Sequence, residues 1–143
     1  MGIIEEKIKA LSTVQRDLDQ IVIDLLQPYE AEIIDLNIEE QLQRGIEATG
    51  QPITPGYRPL TISIKRQKGQ PTNRVTLRDE GDFHESFKVR FGPKFFAIYA
   101  TDEKAERLER KYGKDIFGLT DQNLQEVIEL LRPELEEHIR KKL

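Results

Sequence analysis

Apolar residues recur at alternating spacings of four and three over the first part of the chain. This repeat predicts an amphipathic helix over residues 3–27, with a coiled-coil-like seam along one face. Pro28 is predicted to end the helix, because proline cannot donate a backbone hydrogen bond. Residues 1–28 are therefore interpreted as an N-terminal heptad-like helix, packed either on its own domain or on another copy. The seam positions are Ile4, Ile8, Leu11, Gln15, Leu18, Val22 and Leu25.

The segment that follows this helix has no sustained period. The apolar run within residues 29–36 predicts a linker or a short strand. Asn37 followed by Glu40 has the spacing of a capping box, in which two side chains satisfy the first N–H groups of a helix. A second helix is therefore predicted over residues 38–48, with Leu42 facing inward.

Prolines then break the pattern and leave two alternatives for the next element. Pro59 favours the start of a helix, since proline is tolerated in the first helical turn. The alternation of Leu60, Ile62 and Ile64 favours a strand. Both alternatives stay open from the pattern alone. Residues 65–74, KRQKGQPTNR, are predicted to form a basic surface loop.

The centre of the chain has the pattern of an antiparallel hairpin. Residues 86–91 alternate in polarity, residues 95–99 are an aromatic-rich apolar run, and the two segments flank the turn-forming pair Gly92–Pro93. A small antiparallel sheet is therefore predicted near residues 86–100. The aromatic residues predicted to form its core are Phe83, Phe87, Phe91, Phe95, Phe96 and Tyr99.

Two helices are predicted after the hairpin. Residues 102–112 carry acids early and bases late, the order that the helix dipole favours. Gly113 is a natural C-terminal stop. Thr120 is predicted to cap a last helix over residues 121–142, and Pro133 to kink or divide it.

Together these elements predict an α+β fold: a long N-terminal helix, a small antiparallel sheet and a C-terminal helix. At 143 residues, the length suits one ordinary domain, placed at residues 29–143 after the N-terminal helix. The absence of cysteine excludes disulfides and thiolate metal sites. No apolar run approaches the roughly 20 residues needed to span a membrane. The first residues do not have the pattern of a signal peptide, so a cytoplasmic protein without membrane contact is expected.

The net charge of −4 conceals an uneven distribution. Residues 1–49 carry 11 acids and 4 bases, residues 50–100 carry 4 acids and 9 bases, and residues 101–143 carry 11 acids and 9 bases. A basic middle between acidic flanks favours head-to-tail contact between copies, because complementary charges steer association. A solvated surface of uneven charge explains the same distribution equally well.

One cluster has the residue types of a metal site: Asp79, Asp82, His84 and Glu85. Carboxylates beside a histidine can hold Zn²⁺ or Mn²⁺, which would indicate a metal-dependent hydrolase or nuclease. The spacing matches no metal or nucleophile motif, and the same residues are suited to capping a turn. We therefore expect no catalytic, metal-binding or cofactor-binding residue and no enzyme activity. The basic loop lacks interleaved aromatic residues, so contact with nucleic acid is expected to be absent or indirect.

Three stretches resemble the tail-completion, or head–tail joining, proteins of tailed bacteriophages (the virion morphogenesis class). The first is residues 55–69, PGYRPLTISIKRQKG. The second is residues 75–89, VTLRDEGDFHESFKV, and the third is residues 115–139, which begin DIFGLT. The positions of the second stretch that fit the family pattern are Leu77, Asp79, Gly81, Phe83 and Ser86. Glu80 stands where the family usually has threonine, and Tyr99–Ala100 is not followed by the family's usual His and Gly.

The resemblance implies a virion structural protein rather than an enzyme. It implies a small α+β unit that forms a ring and meets the portal or connector and the tail tube at the neck of the particle. The protein would then occur in the virion, and in the host cytoplasm during assembly. A self-associating cytoplasmic regulator, paired through residues 1–27, is the further alternative.

Overall fold

The computed structural model describes residues 18–142, which fold as a mixture of helices and a two-stranded antiparallel sheet. The predicted α+β class is confirmed. The helices are α1 (residues 18–26), α2 (Glu30–Ile38), α3 (Pro59–Gln67), α4 (Asp82–Glu85), α5 (Ala105–Tyr112) and α6 (Asp121–Lys142). The strands are β1 (Phe87–Phe91) and β2 (Phe96–Ala100), and short 3₁₀ turns lie at Gln27–Tyr29, Leu42–Arg44 and Lys114–Ile116. The predicted heptad positions before residue 18 lie outside this range.

The N-terminal helical path does not stop at Pro28. Pro28 lies at the start of the 3₁₀ turn Gln27–Tyr29, and α2 begins directly afterwards. A proline fits there because the first N–H groups of a helical turn have no partner within the turn. The predicted linker or strand at residues 29–36 is therefore wrong. Ile33, which is completely buried, stabilises the continued helix by packing into the core.

The predicted second helix at residues 38–48 is also wrong. Only the 3₁₀ turn Leu42–Arg44 forms there, and Gly45 ends it with a φ of 75°, a left-handed conformation that glycine adopts readily. Leu42 faces inward as predicted. Asn37 does not cap a helix; it is a buried residue in the last turn of α2.

Of the two alternatives left open after Pro59, the helix is confirmed. Arg58 has an extended backbone, and Pro59 opens α3 in its first turn. Lys65 is the buried residue of α3, whereas Leu60 and Ile64 face solvent.

The predicted hairpin is confirmed, with strands shifted by one residue. Val89 lies opposite Ile98, and both are buried on the inner face. Lys88 lies opposite Tyr99 on the outer face, so Tyr99 is 43% exposed and its predicted place in the core is wrong. Successive side chains in a strand point to opposite faces, and only one face of this sheet is covered.

The outer edge of β1 is covered by α2. The backbone N–H of Val89 donates a hydrogen bond to Oε1 of Glu30 at 2.9 Å. A buried or half-buried backbone N–H needs a partner, and here a helix side chain supplies it. The contact also fixes the start of α2 against the sheet.

The C-terminal half follows the sequence prediction closely. Gly113 directly follows α5 as its C-cap, as predicted, and has a φ of 95°. Oγ1 of Thr120 accepts a hydrogen bond from the backbone N–H of Asn123 at 3.2 Å, which is the predicted cap of α6. The helix runs through Pro133 without a break, so the predicted division there is wrong, and the alternative of a kink at Pro133 stays a prediction. None of the helices within residues 18–142 has the length and apolar composition to cross a membrane.

The core lies where α1, α2, the inner face of the hairpin and α6 meet. Ile33, Ile116 and Val127 are almost completely buried within it. Phe83 and Phe87 also lie in this core, as predicted, and Phe91 and Phe96 pack against it. Phe95 is 48% exposed, so its predicted place in the core is wrong.

Candidate functional site

The four residues of the candidate metal cluster do not converge. His84 faces the interior from α4, whereas Asp82 and Glu85 of the same short helix face solvent. Asp79 accepts a hydrogen bond from Nζ of Lys68 at 2.7 Å. Within residues 18–142, no three His, Asp or Glu side chains are arranged to hold a metal ion.

His84 has a structural environment. Its Nε2 lies 3.0 Å from the backbone carbonyl oxygen of Thr76, and its Nδ1 has no hydrogen-bond partner among the described residues. Burial, together with a smaller effect of the nearby Arg78, lowers the pKa of His84 to about 4 against the opposing effect of the Thr76 carbonyl. The imidazole is therefore neutral at neutral pH and donates its Nε2–H to Thr76.

Asp79 links the turn that precedes α4 to the end of α3. The hydrogen bond from Lys68 lowers the pKa of Asp79 and keeps the carboxylate ionised. The backbone oxygen of Asp79 accepts a second hydrogen bond, from Nε2 of Gln70 at 2.7 Å. Both contacts are exposed, and they tie the turn to α3 rather than form a reactive centre.

Lys65 joins the first family-like stretch to the second. Its Nζ donates to the backbone oxygen of Arg78 at 2.8 Å and lies 4.8 Å from the ring centre of Tyr57. A buried ammonium group needs such partners because desolvation would otherwise make its charge costly. The sequence placed this residue in an exposed loop, and nothing in the local pattern signals its burial.

An aromatic cluster joins the second stretch to the third. The ring centre of Phe117 lies 6.0 Å from that of Phe83 and 5.3 Å from that of Phe87. Ring separations of this size are typical of favourable aromatic pairs. The three family-like stretches therefore pack on one another as a single unit.

A buried amide network holds α2 beside the segment that leads into α6. Nδ2 of Asn37 donates to the backbone oxygen of Ile116 at 3.1 Å, and Oδ1 of Asn37 accepts from the N–H of Gly118 at 2.8 Å. Gln41 donates to the oxygen of Gly118 at 2.8 Å and accepts from the N–H of Thr120 at 2.9 Å. This network was missed by the sequence reading, which assigned Asn37 to a local cap.

An acidic groove lies between α2 and α6. It has a volume of about 580 Å³. Leu36 and Leu130 provide its apolar surface, and Leu130 is 42% exposed. Six carboxylates surround these leucines: Glu32, Asp35, Glu39, Glu40, Glu126 and Glu129.

The exposed face of α3 has the opposite character. Leu60 and Ile64, one turn apart, are 72% and 45% exposed. The helix contains no acidic residue, and the exposed cations Arg58 and Arg66 lie just before it and in its last turn. Residues two positions apart on a helix do not share a face, so the two arginines flank the exposed apolar residues along the helix axis rather than stand beside them.

Comparison with known proteins identifies no relative of this chain. No family model, curated protein or solved structure matches the chain. The candidate site is therefore defined by its own residues: an acidic groove on one surface, and on another the exposed apolar face of α3, which has an exposed arginine near each end of the helix.

Proposed function

We propose that this chain is a structural protein of a tailed bacteriophage that joins head to tail. It would act through protein–protein contacts at the portal–tail junction, with itself in a ring and with the portal or connector and the tail tube. It would be found in the virion, and in the host cytoplasm during assembly. No catalytic residue and no cofactor is assigned to it.

One observation carries this proposal: the three stretches that resemble the family pack together. Lys65 of the first stretch bonds to Arg78 of the second, and Phe117 of the third packs on Phe83 and Phe87. Residues far apart in the sequence thus contribute to one continuous unit. A single α+β unit that contains all three stretches is what the resemblance implies.

The surface supports an assembly role. A groove with six carboxylates and an exposed helix with a cation near each end give the molecule two surfaces of opposite charge. Complementary surfaces at different places on one chain generate rings when the rotation between copies closes. Each would otherwise be an exposed apolar patch with unbalanced charge.

The rival function, a metal-dependent hydrolase or nuclease, has less support. It requires Asp79, Asp82, His84 and Glu85 to surround one ion, and His84 instead donates to Thr76 from the interior. The alternative of a regulator that pairs through its N-terminal helix depends mainly on residues before Leu18, which are not described.

Deletion of the gene in the phage or prophage that encodes it tests the proposed function. We expect lysates with DNA-filled heads and separate tails under the electron microscope, and joined particles again when the wild-type gene is supplied in trans. Immunogold labelling should place the protein at the junction. Joined particles in the deletion lysate, or purified virions without the protein, would overturn the proposal.

A further inference from the structure

The acidic groove between α2 and α6 carries more negative charge than the described part of its own chain balances. Among the described residues, Glu40 pairs with Arg44 at 2.8 Å and Glu129 pairs with Arg132 at 3.0 Å. The other four carboxylates of the groove form no ion pair within residues 18–142. They are Glu32, Asp35, Glu39 and Glu126.

This arrangement favours an occupant that is both cationic and apolar. Like charges close together repel, and an opposite charge relieves that repulsion. Leu36 and Leu130 offer apolar surface that a charged loop would leave exposed to water. An amphipathic helix with basic flanks meets both needs, because it can lay an apolar face into a groove.

The chain itself carries such a helix in α3. Leu60 and Ile64 project from one face, since residues four apart are neighbours on a helix surface. Arg58 and Arg66 form no ion pair within the described part of the chain and are exposed. α3 and α2 each have nine residues, which corresponds to about 13 Å of helix at 1.5 Å per residue.

We propose that α3 of one copy docks into the α2–α6 groove of a second copy. No residue belongs to both surfaces, so the contact is head-to-tail and leaves each pair with one unused groove and one unused α3. Such a contact continues until the chain of copies closes into a ring. The inference rests on the proposed function and specifies the surface by which the protein would assemble with itself.

Two substitutions separate the two sides of the contact. Ile64→Glu places a carboxylate on α3, and Leu130→Glu places one more in the groove; both side chains are exposed, so the fold should tolerate them. Ile139→Glu is the matched control, because Ile139 is 40% exposed on α6 and lies outside both surfaces. Circular dichroism melting of the full-length variants verifies that each is folded.

Light scattering coupled to size-exclusion chromatography reads the outcome over a concentration series. The wild type and Ile139→Glu should assemble, and the contact in Ile64→Glu and in Leu130→Glu should weaken by about tenfold or more. Assembly of the wild type should also weaken between 0.1 M and 1 M salt, because the screening length falls from about 10 Å to about 3 Å.

An equimolar mixture of Ile64→Glu and Leu130→Glu gives the sharpest result. The first variant keeps an intact groove and the second keeps an intact α3, so the mixture should form 1:1 dimers and stop there. A mixture that stays monomeric, or wild-type assembly that both variants leave unchanged, would overturn the head-to-tail contact. Neither result would bear on the gene-deletion phenotype, so the two proposals can fail separately. A wild type that is monomeric at every concentration would also overturn the contact and leave the groove to another occupant.

Chemical crosslinking gives a second measurement, which does not depend on a variant that weakens the contact. The chain has no cysteine, so Ser63→Cys on α3 and Glu126→Cys in the groove introduce the sole thiols. A short bismaleimide should link a copy with the first change to a copy with the second. Glu136→Cys in place of Glu126→Cys is the control and should give little product. Equal crosslinking yields with Glu126→Cys and with Glu136→Cys would contradict the proposed docking.

Discussion

The backbone N–H of Gly118 donates a hydrogen bond to Oδ1 of Asn37 at 2.8 Å, across 81 residues of sequence. The amide of Asn37 also donates to the carbonyl oxygen of Ile116, so one buried side chain satisfies both a donor and an acceptor of the same loop. The link positions α2 relative to the start of α6 and thereby shapes the acidic groove.

Asn37→Leu should destabilise the protein because it leaves both the N–H of Gly118 and the carbonyl oxygen of Ile116 without their partner. Each buried polar group left unsatisfied costs roughly 1–3 kcal/mol. Urea unfolding should therefore show a loss of at least about 2 kcal/mol in the free energy of unfolding. Asn73→Leu, at an exposed position, is the control and should change it by less than about 0.5 kcal/mol. Equal effects of the two changes would contradict a special role for Asn37.

Gly118→Ala should also destabilise the protein. Gly118 has a φ of 120°, and a Cβ there would lie 3.3 Å from the Cβ of Ala48. Backbone strain of this kind costs roughly 1–3 kcal/mol. Gly56→Ala is the comparison, since a Cβ at Gly56 meets open space and its φ lies outside the left-handed region. We expect it to be neutral or to stabilise by up to about 1 kcal/mol; thermal unfolding followed by circular dichroism ranks the two.

His84 should make stability depend on pH in the acid range. Its pKa falls from 6.5 in the unfolded chain to about 4 in the folded protein, so the unfolded state binds more protons between these values. The free energy of unfolding should therefore be constant above pH 6.5, decrease as the pH falls toward 4, and lose at most about 3 kcal/mol from this residue.

Urea unfolding at several pH values between 4 and 7 measures this effect. His84→Phe, which cannot titrate, should lower stability at pH 7 because Thr76 loses its hydrogen-bond donor. The same variant should show a flatter pH dependence than the wild type between pH 6.5 and 4. Parallel curves for the two proteins would rule out His84 as the titrating group.

Substitution of Lys65 should lower the free energy of unfolding more than substitution of Lys68, although the two residues lie only three positions apart. Lys65→Met removes the buried donor of a half-buried hydrogen bond to the carbonyl oxygen of Arg78, and should cost roughly 1–3 kcal/mol. Lys68→Met removes an exposed ion pair with Asp79 and should cost about 0–1 kcal/mol. Chemical unfolding of both variants tests the ranking. A larger loss for Lys68→Met would contradict the burial of Lys65 as the cause.

Local patterns predicted the elements whose partners lie nearby in sequence. The alternation at residues 86–91 and the Gly92–Pro93 turn determine the hairpin by themselves, and Thr120 caps α6 within its own turn. Tyr99 was misplaced because alternation alone does not reveal which face of a strand is covered. Register supplies that information, since Tyr99 lies opposite the solvated Lys88.

The failures around Asn37 have a different cause. Its spacing to Glu40 is that of a local cap, but its actual partners are Ile116 and Gly118, about 80 residues away. Satisfying buried backbone groups outweighs the capping preference of an isolated segment. The acidic groove could not be predicted for the same reason, because its two walls come from α2 and α6, which lie far apart in the sequence. The charge count predicted acidic flanks, but only the packing of these helices brings the carboxylates into one groove.

The hydrogen bond between Val89 and Glu30 also bears on what else can pair with the sheet. The N–H of Val89 points away from β2 and already has a carboxylate partner. Unpaired N–H and C=O groups along the edge of a sheet are a template for a further strand. A strand that joined β1 at Val89 would have to displace Glu30 first, so this bond protects the β1 edge against pairing with another chain.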